Sequence, residues 1–420
     1  MDLTRETTPE ARRLLWLARS DRRAAEKALA ALPAERQAAL ILETSLAIRR
    51  QLIELLPSPE DVIPLLPEAE LCYTCRTIGL ADISWLLPLA TNEQLVACFD
   101  LDVWRGVRVD HGQLDAWMAA LAETDDETLV RAAQSIDPEL LVVYFQQHID
   151  VFMKPSPQDD PDWSEPDQSQ TLEGQFYFVA KRPGDDLAPF MRLAHALFQG
   201  DYWLYFRAIQ AVREELPTET EEWALRWRTG RLADLGFPTW EEAMAIYGHI
   251  RPEALARLPR EAPVLDLEGY GLPAWTTVLP AAQADEAPLF RAIRELAVHE
   301  RGAVFHALIG LANRIAVADR LELGDPESLP KALEKATRLV GAGLELVTRE
   351  NGLALVEGLR RVGLDRLFRV GVNLDPESEL PAPIAADDSN RSEDLADEPG
   401  DGEDDGSDGE YGAGSSSGIR

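Results

Sequence analysis

From Thr8 onward the chain repeats one local grammar: a capping residue, often a proline, an acid, then apolar residues three and four apart. Thr8-Pro9-Glu10 supplies a hydroxyl cap, a proline suited to the first helical position and an acid for the positive helix end. Ala11, Leu14, Leu15 and Ala18 follow at helical spacing. Leu32-Pro33-Ala34-Glu35, Ser58-Pro59-Glu60-Asp61 and Leu66-Pro67-Glu68 open further apolar stretches in the same way. Three later segments resemble one another: Thr91 to Val96, Asp126 to Val130 and Asp137 to Val142 each place a cap and an acid before a Leu-Val pair. Their spacing is irregular, 34 residues from Glu93 to Glu127 but 12 from Glu127 to Glu139. Residues 1–153 therefore read as a degenerate array of short helices, with an irregular helical domain using common caps as the alternative.

The pattern then changes. Residues 154–183 open with Lys154-Pro155-Ser156-Pro157 and reach Phe176-Tyr177-Phe178-Val179, a run of strand formers between Gly174 and Gly184. They predict a polar loop and a small β-hairpin or extended arm. Residues 184–261 resume the helical period as a central unit rich in aromatics. There Trp223 and Trp227 sit four apart on one helix face, and Thr239 with Glu242 forms a capping box. Prolines and glycines at 262–288 predict an extended connector. Residues 289–375 form a C-terminal helical unit with a packing stripe at Leu329, Leu333, Ala336, Val340, Gly343 and Val347. Beyond it, 376–420 reads as a disordered acidic tail, too polar to offset chain entropy by burial. The fold class expected is mainly α: a superhelical array of short helices, then helical bundle units, one small β-hairpin and the tail.

Charge and cysteine content narrow the function classes. The net charge is −33, and the stretch from Glu377 to Arg420 holds fourteen acids against two arginines. The average field repels a phosphate backbone, so no nucleic-acid partner is expected. The arginines near the start (Arg12, Arg13, Arg19, Arg22, Arg23) read as a solvated helix face. Three cysteines and an acidic N-terminus without an apolar core fit a reducing, cytoplasmic setting. No apolar run approaches the ~20 residues that span a bilayer, so no membrane insertion is expected.

The chemistry-bearing motifs fail on context. Cys72-Tyr73-Thr74-Cys75 has redox and zinc spacing, but it lies in a helical pattern with no preceding strand and no fourth ligand after Cys98. Buried thiols are expected instead. His299-Glu300 and His306 are seven residues apart, which sets the two rings ~10 Å apart along a helix, too far for one metal. No phosphate loop, dinucleotide fingerprint or nucleophile elbow is present. Glu221 to Phe237 is the densest mixture of tryptophan and arginine on the chain. It can form a recognition surface, or a helix that buries its aromatics and pairs its arginines with Glu221, Glu222 or Asp234. The latter is the expectation.

Several patches carry a resemblance. Ile78 to Asp82, Leu86 to Leu95 and Phe99 to Trp104 resemble an uncharacterised family of bacterial proteins, a domain of unknown function. So do Arg231 to Pro238 with Glu241-Glu242-Ala243, and Leu311 to Arg314 with Ala318-Asp319. That resemblance implies no catalytic residue. The short helices of residues 30–150, with their Leu-Pro-x-Glu openings, are also similar to the N-terminal superhelical domain of a magnesium transporter and to flagellar motor-switch helices, which implies regulation or scaffolding. The expectation is a non-enzymatic scaffold or regulatory adaptor for a protein partner. The alternative is an enzyme or small-molecule receptor with a pocket between the central and C-terminal units, lined by Arg228, Arg231, His306, Asn313 and Arg314. No catalytic, cofactor-binding or metal-ligating residue is assigned, and the oligomeric state is open.

Overall fold

Each early helix begins where the sequence supplies a partner for its first N–H groups. In the computed structural model, which describes residues 7–182, 184, 186–260 and 287–381, Thr8 Oγ1 accepts from Ala11 N at the start of α1 (Pro9–Ser20). Then come α2 (Arg22–Ala30), α3 (Ala34–Leu42), α4 (Leu46–Ile53), α5 (Pro59–Val62), α6 (Glu68–Ile78) and α7 (Asn92–Asp102). Thr91 caps α7 through a full box with Gln94, whose amide also donates to Ile63 O and Leu66 O. The helices α8 (His111–Ala122), α9 (Asp126–Ser135) and α10 (Pro138–His148) follow, and Asp125 caps α9 by accepting from Thr128 N at 2.9 Å. Of the three look-alike segments, the one at Asp137 differs: its carboxylate makes no cap hydrogen bond to its own helix.

Two small antiparallel ladders interrupt the helices. The first pairs β1 (Trp104–Arg105) with β2 (Arg108–Val109) across a turn where Gly106 has φ +62°. The second pairs β3 (Ile149–Met153) with β4 (Phe176–Ala180), Met153 opposite Phe176 and Ile149 opposite Ala180. The expected strand is present, but its partner lies upstream, in residues the sequence reading joined to the helical array. Ile149 and Val151 favour a strand, yet they follow Gln146-Gln147-His148 with no glycine or proline to mark the end of α10. The connecting residues 154–175 are held by packing of Trp163 edge-on against Tyr177 and by a hydrogen bond from Tyr177 to Glu165 at 2.9 Å.

The remainder is helical: α11 (Ala188–Gly200), α12 (Tyr202–Glu214), α13 (Pro217–Asp234) and α14 (Trp240–Met244), the last with the expected Thr239–Glu242 capping box. The C-terminal helices are α15 (Pro288–Glu295), α16 (Val298–Ala318), α17 (Ser328–Asn351), α18 (Leu355–Val362), α19 (Leu364–Val372) and α20 (Pro376–Glu379). The expected connector falls almost wholly on residues 261–286, and the expected tail mostly on 382–420; both stretches lie outside the described residues. Among the described residues no helix is long and apolar enough to cross a membrane.

One continuous apolar core runs from Ala11 to Val372, and polar contacts fix how its parts meet. Arg49 and Glu70, both fully buried, pair at 2.9 Å and join α4 to α6, with Thr74 accepting a further guanidinium hydrogen bond. Asp102, at the end of α7, pairs with Arg76 at 2.8 Å and accepts from Trp117 Nε1 at 2.7 Å. The loop after α16 lies directly on this node: a Cβ on Gly324 would meet the Asp102 side chain, and Tyr73 donates to Leu323 O at 3.3 Å.

The predicted stripe on α17 is buried against α19, and glycine sets the separation. A Cβ on Gly343 would fall on the Leu367 carbonyl, and one on Gly371 would fall on the Leu339 carbonyl. The two backbones therefore touch reciprocally, with no side chain between them that could rotate away. Gly343→Ala is expected to destabilise the protein by about 3 kcal/mol, because the helices must move apart. Gly341→Ala, two residues away, would place its methyl 3.6 Å from Pro288 Cδ. There the better helix propensity of alanine should leave stability unchanged or raised by up to about 1 kcal/mol. Urea denaturation midpoints of the two variants test the contrast; equal effects would refute it.

Candidate functional site

The chain's densest aromatic and arginine segment is α13, and its two faces are inverted relative to expectation. Two of its three arginines, Arg228 and Arg231, point inward. Arg231 forks onto two carboxylates: Nε and Nη2 donate to Asp100 on α7, both at 2.7 Å, while Nη1 and Nη2 donate to Asp137 at 2.8 and 2.6 Å. Asp137 thus spends its carboxylate on α13 and not on capping α10. Burial opposes the charge on Arg231, but these hydrogen bonds outweigh it and hold the guanidinium pKa above its ordinary value. Arg228 is 7% exposed and donates to Asp100 O at 2.7 Å and to Gly106 O at 3.3 Å. Its guanidinium stacks over Trp104, 5.1 Å from the ring centre, and burial lowers its pKa to about 10. Glu221, an expected arginine partner, instead accepts from Val109 N at 2.7 Å.

The tryptophans point outward. Trp223 and Trp227 are 49% and 52% exposed. Arg226 lies over the Trp223 ring at 5.2 Å. Together with Glu219, Glu222, Gly230 and Asp234 they form an exposed stripe at spacings of three and four along α13. Val107, in the β1–β2 turn that Arg228 holds through Gly106, is 63% exposed. The expectation that this helix buries its aromatics and pairs its arginines along its own length is corrected. The Asp100 and Asp137 carboxylates claim Arg231 and backbone carbonyls claim Arg228, and with these two turned inward the tryptophans stand outside.

The five pocket candidates do not share one centre. Arg228 and Arg231 meet at Asp100. Asn313 is buried on α16 and donates to Gly236 O at 3.2 Å. Arg314 forms a two-pronged pair with Asp365 on α19, at 2.7 and 2.5 Å. The Nε2 atom of His306 is buried without a hydrogen-bond partner. These contacts tie elements together and leave little donor capacity for a ligand.

A polar recess that the sequence reading missed lies between α8 and α10. Asp115 accepts from Gln147 Nε2 at 2.9 Å and pairs with His148 Nε2 at 2.8 Å, while His111 Nδ1 bonds Gln147 Oε1 at 2.9 Å. The signal was available as His111 and Asp115, four apart on one helix. An Asp–His pair is a base in outline. However, the recess holds only ≈ 170 Å³, and its lining of Asp115, Gln147, His148, Arg182 and Asp186 is polar and contains no serine, cysteine, threonine or lysine. Ligand pockets run to about 300–1,000 Å³ and are mostly apolar.

The three thiols converge from α6 and α7, all buried and unbridged. Hydrogen bonding with Cys72 and Cys75, then burial, holds the Cys98 thiol well above its ordinary pKa. Such thiols are protonated and unreactive. Among the described residues no group of three or more His, Cys, Asp or Glu is arranged to hold a metal ion.

Residues 26–377 match the model of a family of unknown function (DUF6178), and the chain belongs to that family. No curated protein and no solved structure matches the chain. The expected similarity of the first helices to the magnesium transporter and motor-switch domains is not shown by these comparisons.

The inverted helix makes a direct prediction about stability. Arg231→Ala strands the Asp100 carboxylate, which is 3% exposed in its side chain, and should cost on the order of 3 kcal/mol. Trp223→Ala and Trp227→Ala should each change stability by less than about 0.5 kcal/mol. Chemical denaturation of the three variants checks this, and a tryptophan variant as damaging as the arginine one would place that ring in the core.

Proposed function

We propose that this protein is a non-enzymatic helical scaffold that docks a protein partner on the outer face of α13. The observation that carries the reading is the inversion itself. Two tryptophans stand half-exposed, with Arg226 beside them, on a helix that turns Arg228 and Arg231 into the protein. Exposed aromatics cost solubility and contribute nothing to this chain's own core, whereas tryptophan and arginine dominate the energetics of protein–protein contacts. The enzyme or receptor alternative draws less support. Four of the five polar residues it names already donate to Asp100, Asp137, Gly236 and Asp365, and His306 Nε2 is buried without a partner.

The test is affinity capture with the tagged full-length chain, beside a Trp223→Ala/Trp227→Ala double variant. The wild-type chain is expected to recover one protein in stoichiometric amount, and the variant at least about tenfold less, as befits loss of a binding hot spot. Recovery that is equal for both chains, or no stoichiometric protein with wild type, would overturn the reading.

A further inference from the structure

The first two helices run against the charge of the chain. Acids outnumber bases 74 to 41 overall, yet residues 12–27 hold five arginines and Lys27 against only Asp21 and Glu26. Both of those acids are spent locally. Asp21 caps α2 by accepting from Ala24 N at 3.0 Å, and Glu26 pairs with Arg22 at 2.8 Å. Among the described residues Arg13, Arg19 and Arg23 enter no ion pair or side-chain hydrogen bond. Beside them Trp16 is 69% exposed, and its indole has neither a hydrogen bond nor a ring contact among those residues.

Helix geometry sets these groups on one face of α1. At about 100° per residue, Arg12, Arg13, Trp16 and Arg19 fall within an arc of about 120° and a length of about 10 Å, with the indole between the cations. The opposite side, with Ala11, Leu14 and Leu15, is buried in the core. Glu10 lies outside the arc, and Arg36 takes its carboxylate. The surface is therefore the convex side of one helix, with cations placed around a single indole.

A convex helix offers no pocket to a peptide side chain, but it fits against a plane. The headgroup layer of a bilayer takes up an indole, whose apolar ring and polar N–H match the two sides of that layer. Anionic lipids attract arginines close to the surface, and beyond a Debye length of about 8 Å the rest of the chain's net charge of −33 is largely screened. A nucleic-acid duplex would satisfy the arginines and leave the ring in water. We propose that this face of α1 seats on the surface of an anionic phospholipid bilayer, with the Trp16 indole in the headgroup layer and Arg13 and Arg19 on lipid phosphates. The contact needs no spanning helix and uses no residue of α13.

Co-sedimentation of the full-length chain with phospholipid vesicles at physiological salt tests it. Vesicles containing phosphatidylglycerol should bind the wild-type chain about 25-fold more tightly than vesicles of phosphatidylcholine alone, about fivefold for each of Arg13 and Arg19. Arg13→Gln/Arg19→Gln should abolish that preference. Arg13→Lys/Arg19→Lys should keep it, because the attraction is to charge and not to a guanidinium fork. Trp16→Ala should weaken binding about tenfold, and all these variants should melt as wild type does because the three side chains are exposed. Trp223→Ala/Trp227→Ala should bind vesicles as wild type does, so the docking reading and this one stand or fall separately. Wild type that shows no preference for anionic vesicles at about 1 mM lipid, well above the ~0.1 mM at which a single acyl anchor binds, would overturn the proposal. A preference that survives both Arg13→Gln/Arg19→Gln and Trp16→Ala would move the lipid contact to another face and overturn it too. Binding to duplex DNA in place of vesicles, lost in Arg13→Gln/Arg19→Gln, would assign the face to nucleic acid instead.

Discussion

The Arg231 guanidinium, clamped between Asp100 and Asp137, is the contact on which the arrangement of the central unit depends. It reaches from α13 to α7 and to the start of α10 at once. A planar fork answering two carboxylates tolerates little rotation, so it fixes the roll of α13 about its own axis. Arg228, one turn earlier, adds a second point on the same side through Asp100 O and Gly106 O. Once the roll is fixed, the remaining faces have no choice. The tryptophans, Arg226 and Gly230 are left on the solvent side.

The helices and many of their caps were legible in the sequence because they depend on residues three or four apart. Thr8, Thr91 and Thr239 each cap as their spacing implies, and the α17 stripe is buried as its period requires. Three things were not legible, each for a stated reason. The partner strand of Phe176–Ala180 follows the Gln146-Gln147-His148 end of α10 with no glycine or proline to mark the boundary, so the sequence does not separate it from the helix. The orientation of α13 is set by carboxylates 131 and 94 residues away in the chain. Local periodicity identifies two faces of that helix but cannot say which is inside, and hydropathy favours the wrong one. The recess at Asp115 and His148 needs two helices to be brought together, and only half of it, His111 with Asp115, is a local pattern.

The C-terminal helices obey a different economy of space. Where the arginine fork holds α13 by directional bonds, α17 and α19 are held by the removal of side chains. Gly343 and Gly371 let each backbone rest on a carbonyl of the other, close enough for Cα–H groups to meet carbonyl oxygens. The same device recurs where Gly324 lies on Asp102 and where Gly358 abuts Thr348. The seat of α13 is thus set by charge and the α17–α19 contact by close approach.

The three cysteines acquire a meaning apart from catalysis. Every sulfhydryl in the chain lies in the seam between α6 and α7, buried from water. A thiol reagent therefore has a single destination and reaches it only when those two helices part. Its rate of reaction in the folded protein measures the frequency of that opening. The seam lies beside Arg76 and Asp102, onto which the loop after α16 is laid. Labelling chemistry would accordingly act as a clock for the moment at which the N-terminal helices release the rest of the molecule.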